Sequence, residues 1–133
     1  MFQNYYQLPN GKQAIYYINK YKLSFNYGNA FKYITRCAKK VNNTADSDLN
    51  KALVYITSIK DEMSFAERFV RGLVNTVKYK DEYITEKDLQ NILVSIIKFE
   101  EPDKIARTLV KYMDDHGVSV NPEYYKYRVK DGE

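Results

Sequence analysis

The stretch Ser24-Phe25-Asn26-Tyr27-Gly28-Asn29-Ala30-Phe31-Lys32-Tyr33-Ile34-Thr35-Arg36-Cys37-Ala38-Lys39-Lys40 decides the fold. Tyr27, Phe31, Ile34 and Ala38 recur at the period of one helix face, while Lys32, Arg36, Lys39 and Lys40 fall on another. Ser24 has a hydroxyl that can accept from the amides of a first turn, which sets the start of the helix. A polar connection, Val41-Asn42-Asn43-Thr44-Ala45, then leads to the Asp46/Ser47 pair as the cap of another helix. Its Leu49, Ala52, Leu53, Ile56 and Ile59 repeat the same period. Two amphipathic helices with so short a link predict an antiparallel hairpin across the Asn42-Asn43-Thr44 loop.

Working outward, Ala14, Ile15 and Ile18 predict a short first helix from about Gly11 to Lys20. On the other side, Ser64-Phe65-Ala66-Glu67 reads as a capping box. Phe65, Phe69, Val70, Leu73 and Val77 make the helix behind it amphipathic, ending near Lys78. Thr85-Glu86-Lys87-Asp88 opens a fifth helix through Leu89, Ile92, Leu93 and Ile96. Pro102 suits the first turn of a sixth, with Ile105, Leu109, Tyr112 and Met113 inward and Gly117 as its stop. The fold class is therefore all-α, a compact bundle of about six short helices with an extended Tyr-rich C-terminal tail. Residues 1–60 form a basic helical module, 61–117 a helical extension packed on it in one cooperative unit, and 118–133 the tail.

At 133 residues and 44% hydrophobic content the chain can bury one core. No run of about 18 apolar residues occurs, and Met1-Phe2-Gln3-Asn4-Tyr5-Tyr6 lacks the basic start and apolar stretch of a signal peptide. The expectation is a cytoplasmic protein with no membrane partner. Cys37 is the single cysteine, so no internal disulfide forms, and at its helical position it reads as a small core hydrophobe. Residues 1–60 carry nine Lys/Arg against Asp46 and Asp48, a balance of +7. Residues 61–116 carry nine against twelve acidic residues, a balance of −3. A basic half on a slightly acidic one predicts a face that meets anions.

Asn29, Lys32, Arg36 and Lys39 lie at spacings of 3, 4 and 3, on one side of the second helix. Arg offers a planar fork to two phosphate oxygens and Lys a point charge, and Gly28 near the helix start lets backbone approach a ligand. The opposing structural account pairs Arg36 with Asp48 or Asp46 beneath the loop. The tyrosines of the tail, Tyr124, Tyr125 and Tyr127, alternate with Lys126, Arg128 and Lys130 and could stack on bases or dock on a protein. Asp114-Asp115-His116 resembles a metal cluster by composition alone and reads as a solvated helix end. There is no Gly-x-x-x-x-Gly-Lys-[Ser/Thr], no Cys/His set at zinc spacing, no Glu-x-x-Glu pair and no nucleophile elbow. No catalytic residue and no metal ligand is assigned.

The run from Phe25 to Lys40, followed by Asp48-Leu49-Asn50-Lys51-Ala52-Leu53-Val54-Tyr55, resembles the phage family labelled "protein of unknown function in nucleotide kinase". The likeness rests on Gly28-Asn29, Lys32-Tyr33, Arg36, Lys39-Lys40 and Asp48-Leu49-x-Lys51-Ala52, and covers about residues 4–60. The family's opening Pro-x-His-Tyr has only Asn4-Tyr5-Tyr6 as its counterpart, without the histidine, and Cys37-Ala38 stands where many members have Ala-Gly. The resemblance implies a phage protein acting in an infected bacterial cytoplasm, and a ligand face of Gly28, Asn29, Lys32, Arg36, Lys39, Lys40, Asp48 and Lys51. The leading expectation is a non-enzymatic accessory protein that binds a phosphate-bearing or acidic partner through the basic helix, without a cofactor. Two alternatives stand beside it. One is an inhibitor of a host defence nuclease, such as an anti-CRISPR protein. The other is a nucleotide-metabolism enzyme like a nucleoside monophosphate kinase, which would need magnesium on Asp48 or Asp46.

Overall fold

The computed structural model describes residues 7–39, 45–78 and 81–128, except for the side chain of Lys39. Six α-helices occur among them: α1 (Ala14–Lys20), α2 (Phe25–Lys39), α3 (Ala45–Glu62), α4 (Phe65–Lys78), α5 (Lys87–Ile97) and α6 (Pro102–Asp115). A 3-10 helix, Pro122–Tyr127, follows. Among the described residues no helix is long and apolar enough to cross a membrane.

The α2–α3 pair is antiparallel, because the start of α2 meets the end of α3. Glu62 accepts from the Ser24 hydroxyl and from the Asn26 amide (2.9 Å), and Ser24 Oγ in turn accepts from the Tyr27 amide (3.3 Å). The loop expected to join them lies outside the described residues. Tyr27, Ala30, Phe31 and Ile34 of α2 are buried against Leu49, Ala52, Leu53, Ile56 and Ile59 of α3. The stripes of α5 and α6 complete the same core, so residues from both expected halves share one apolar interior. Gly117 ends α6 at φ +69°, and the Val118 amide reaches back to the Met113 carbonyl (2.8 Å), a stop that needs the left-handed conformation.

The C-terminal segment leaves α6 extended and then winds into the 3-10 helix, with Val120 and Tyr124 buried. Asn50 of α3 fixes it by donating to the Ser119 carbonyl (2.9 Å) and accepting from the Asn121 amide (2.9 Å). Arg128 closes on Asp114 with two bonds of 2.9 and 2.8 Å. Asp114 thus anchors the tail, while Asp115 pairs with Lys111 (2.7 Å).

Several tyrosines are structural. Tyr17 meets Tyr83 edge-on (4.8 Å), the hydroxyls of Tyr21 and Tyr83 share a hydrogen bond (2.8 Å), and Tyr27 donates to the Glu100 carbonyl (2.7 Å). Burial pushes Tyr17 and Tyr112 up to about 12 and raises Tyr27 as well. Below about pH 10 these phenols are neutral folded or unfolded; above it the unfolded chain ionises first and is stabilised by doing so. Stability should therefore be flat to about pH 9.5 and then fall as the pH rises through about 12. Urea titrations across that range check it, and an unchanged midpoint at about pH 11 would refute it.

The fourth helix forms where its capping box places it, and Ser64 Oγ accepts from the Glu67 amide (3.2 Å). Its orientation is the reverse of the usual one. Phe65, Phe69, Val70, Leu73, Val74 and Val77 are 49–80% exposed, and the buried residues of α4 are Gly72 and Asn75. Polar contacts set that orientation. Asn75 Nδ2 donates to the carbonyls of Tyr21 (3.1 Å) and Ile97 (2.8 Å), and Arg71 donates to the Lys22 carbonyl (3.1 Å).

Candidate functional site

The outward side of the α2–α3 hairpin carries the surviving part of the basic face. Tyr33 of α2 stacks on Tyr55 of α3, centroids 5.9 Å apart and planes within 9°. Lys32 Nζ lies 5.0 Å and Lys51 Nζ 5.5 Å from the centre of the Tyr33 ring, so cations from two helices converge on one aromatic. Phe25 meets Tyr55 edge-on (5.8 Å) and is itself 70% exposed. The result is a row of three rings with two ammonium groups at one end. A ring contact is electrostatic and leaves an ammonium its full charge, so such a row can meet phosphate while its rings stack on flat groups.

Arg36, Asp48, Gly28 and Asn29 have structural positions. Arg36 Nε stands 3.7 Å from Asp48 Oδ1, with the Asp48 side chain 1% exposed and that of Arg36 26%. The structural account of Arg36 therefore holds: its guanidinium compensates a buried carboxylate at the first turn of α3. Gly28 is buried against α1, where a Cβ would lie 3.2 Å from Ile18 Cγ2 and 3.8 Å from Leu23 Cβ. Its smallness serves the α1–α2 crossing, which corrects the expectation of a backbone approach to ligand. Asn29 Nδ2 donates to the Phe25 carbonyl of its own helix (2.8 Å). The Lys39 side chain and Lys40 lie outside the described residues. Of the eight expected residues, Lys32 and Lys51 come together on this row. Tyr33, Tyr55 and Phe25 were missed because aromatics at helical spacing read as core; Lys32-Tyr33 beside Lys51 and Tyr55 was the available signal.

A second constellation joins Glu86, Asp88 and His116, with ligand atoms within 4.8 Å of one another. Its geometry serves helix ends. Glu86 accepts from the Asp88 (3.3 Å) and Leu89 (2.7 Å) amides as the cap of α5, a task the sequence reading spread over Thr85–Asp88. His116 stacks on Tyr112 (4.1 Å) and bonds its carbonyl through Nδ1 (2.8 Å). A cavity of about 350 Å³ lies nearby, between Leu8, Thr35, Ala38 and Ile84, with Glu86 at its wall. Magnesium chemistry finds little support at Asp48, whose carboxylate is buried against a guanidinium.

Comparison with protein-family models, with curated proteins and with solved structures found no match.

Proposed function

We propose that the protein is a phage accessory protein that binds a phosphate-bearing partner on the α2–α3 face and performs no chemistry on it. The observation that carries this reading is the convergence of Lys32 and Lys51 on Tyr33, itself stacked on Tyr55. Lysines beside stacked rings suit a single-stranded nucleic acid, whose phosphates take the cations and whose bases take the rings. The phage origin rests on the motif likeness of residues 25–55.

An acidic protein surface, such as that of a host defence nuclease, is the second reading. Exposed Phe25 and Val54 favour it, since apolar groups among charges are the make-up of a protein interface.

Fluorescence anisotropy with labelled single-stranded DNA and RNA tests the proposal. Lys32→Ala with Lys51→Ala should weaken binding about tenfold or more and reduce its salt dependence by about two phosphate contacts, leaving the melting temperature within about 2 °C. Oligonucleotide binding that the double variant leaves unaltered would remove this face from the account. Absence of binding, together with a stable protein complex sensitive to the same variant, would establish the second reading.

A further inference from the structure

The outward side of α4 is a larger and more sharply defined feature, and it is independent of the α2–α3 face. Ala66, Val70, Leu73 and Val77 run down its middle at spacings of 4, 3 and 4, the seam by which one helix packs on another. Phe65 and Phe69 border the seam on one side; Glu67, Val74 and Lys78 border it on the other. The helix cannot turn this side inward, because Asn75 and Arg71 bind the body and Gly72 lies against the Lys98 backbone.

We infer that the exposed face of α4 is the interface of a homodimer, in which two copies of α4 pack antiparallel about a two-fold axis. Three observations select a second copy as the occupant. The first is charge. Antiparallel pairing brings Glu67 of each copy to the partner's Lys78, two complementary contacts per dimer, whereas a parallel two-fold pair exchanges the flanks and sets both charges against the partner's Phe65–Phe69 side. The second is shape. The same register faces small Ala66 with the partner's Val77, and Val70 with the partner's Leu73. It also sets Phe69 beside the partner's Gly72 and Thr76, which line a groove of about 320 Å³ between α4 and the α5–α6 turn. Ridge and groove thus lie on one face of one chain, as a two-fold interface requires.

The third is area. The six exposed apolar side chains present roughly 600 Å² per copy, so a dimer buries at most on the order of 1,200 Å², the lower end of specific interfaces. A bilayer surface fits worse. A helix on anionic lipid carries cations along its polar margin, but here Lys78 shares that margin with Glu67, and Arg71 turns back to the Lys22 carbonyl and over the Phe99 ring.

Sedimentation equilibrium of the full chain from about 1 to about 500 µM tests the inference. The expected result is a reversible monomer–dimer equilibrium, with the dissociation constant raised about a hundredfold or more by Leu73→Glu at unchanged helicity. Glu67→Lys and Lys78→Glu should each weaken the dimer, and the two together should restore it. Within one helix both changes oppose the dipole, so restoration arises only between copies. A monomer at every concentration, a dimer indifferent to Leu73→Glu, or singles whose combination restores nothing would overturn the inference. So would a monomer that instead sediments with phosphatidylserine vesicles through Leu73.

Discussion

Arg36→Ala should destabilise the protein by about 2–4 kcal/mol, while Lys32→Ala, one turn earlier, should change stability by less than about 0.5 kcal/mol. The two residues share a sequence face but not an environment. Lys32 is half-buried with its ammonium over the Tyr33 ring, where loss of a partly solvated charge is largely screened. Arg36 faces Asp48, a carboxylate with 1% exposure, and truncation leaves that carboxylate in the interior without the cation from α2. Because the Arg36 side chain is itself 26% exposed, water moderates the loss, which places it at the lower part of the range for a broken buried pair. Asp48→Asn with Arg36→Ala should recover part of the stability, since the charge that needs compensation is gone. Urea unfolding of the three variants checks the ordering. Equal effects of Arg36→Ala and Lys32→Ala would show that the ion pair does not hold the hairpin.

Gly72→Ala should be comparably damaging, by about 2–4 kcal/mol, although alanine is favoured over glycine in a helix by about 1 kcal/mol. A Cβ at this position would lie 2.3 Å from the Lys98 carbonyl oxygen, an atom of the backbone that cannot rotate away. The α5–α6 turn that carries it passes through Phe99 at φ +54° and packs that ring on Tyr27 (4.5 Å), so it has little freedom to retreat. α4 must therefore move off, and the Asn75 bonds to Tyr21 and Ile97 go with it. Amide exchange would show α4 losing protection while α3 and α6 keep theirs. A rise in melting temperature would show that propensity outweighs the contact.

Much of the architecture was legible because it rests on periodicity. Stripes such as Leu49-Leu53-Ile56 and Ile105-Leu109-Met113 are inward in the structure, and Ser64 and Gly117 mark helix ends as their chemistry requires. Orientation is where periodicity stops. The stripe of α4 is as regular as that of α3, yet it lies outside, because the side of a helix that meets the body depends here on Gly72 and Asn75. Glycine and asparagine in mid-helix read locally as weak helix formers. Their fit to the Lys98 backbone and to two distant carbonyls is visible only in three dimensions.

The same limit applied to the basic face. Spacing places Asn29, Lys32 and Arg36 on one side of α2, but a side chain's task depends on what the facing helix supplies. Asp48 takes Arg36 into the structure, while Lys51 and Tyr55 extend the surface around Lys32. Gly28 was misread for a related reason, since its neighbour Ile18 belongs to a different helix.

The polar joint beneath α4 has a thermodynamic consequence. Heat capacity of unfolding rises with the apolar surface newly wetted, and undocking α4 wets the carbonyls of Tyr21, Lys22 and Ile97, an asparagine and a glycine in place of its hydrophobic stripe. Its release should therefore change heat capacity less than the melting of the remaining five helices, which carry the curvature of an ordinary core. Cooling, which weakens apolar cohesion elsewhere in the molecule, would leave this one attachment largely unaffected.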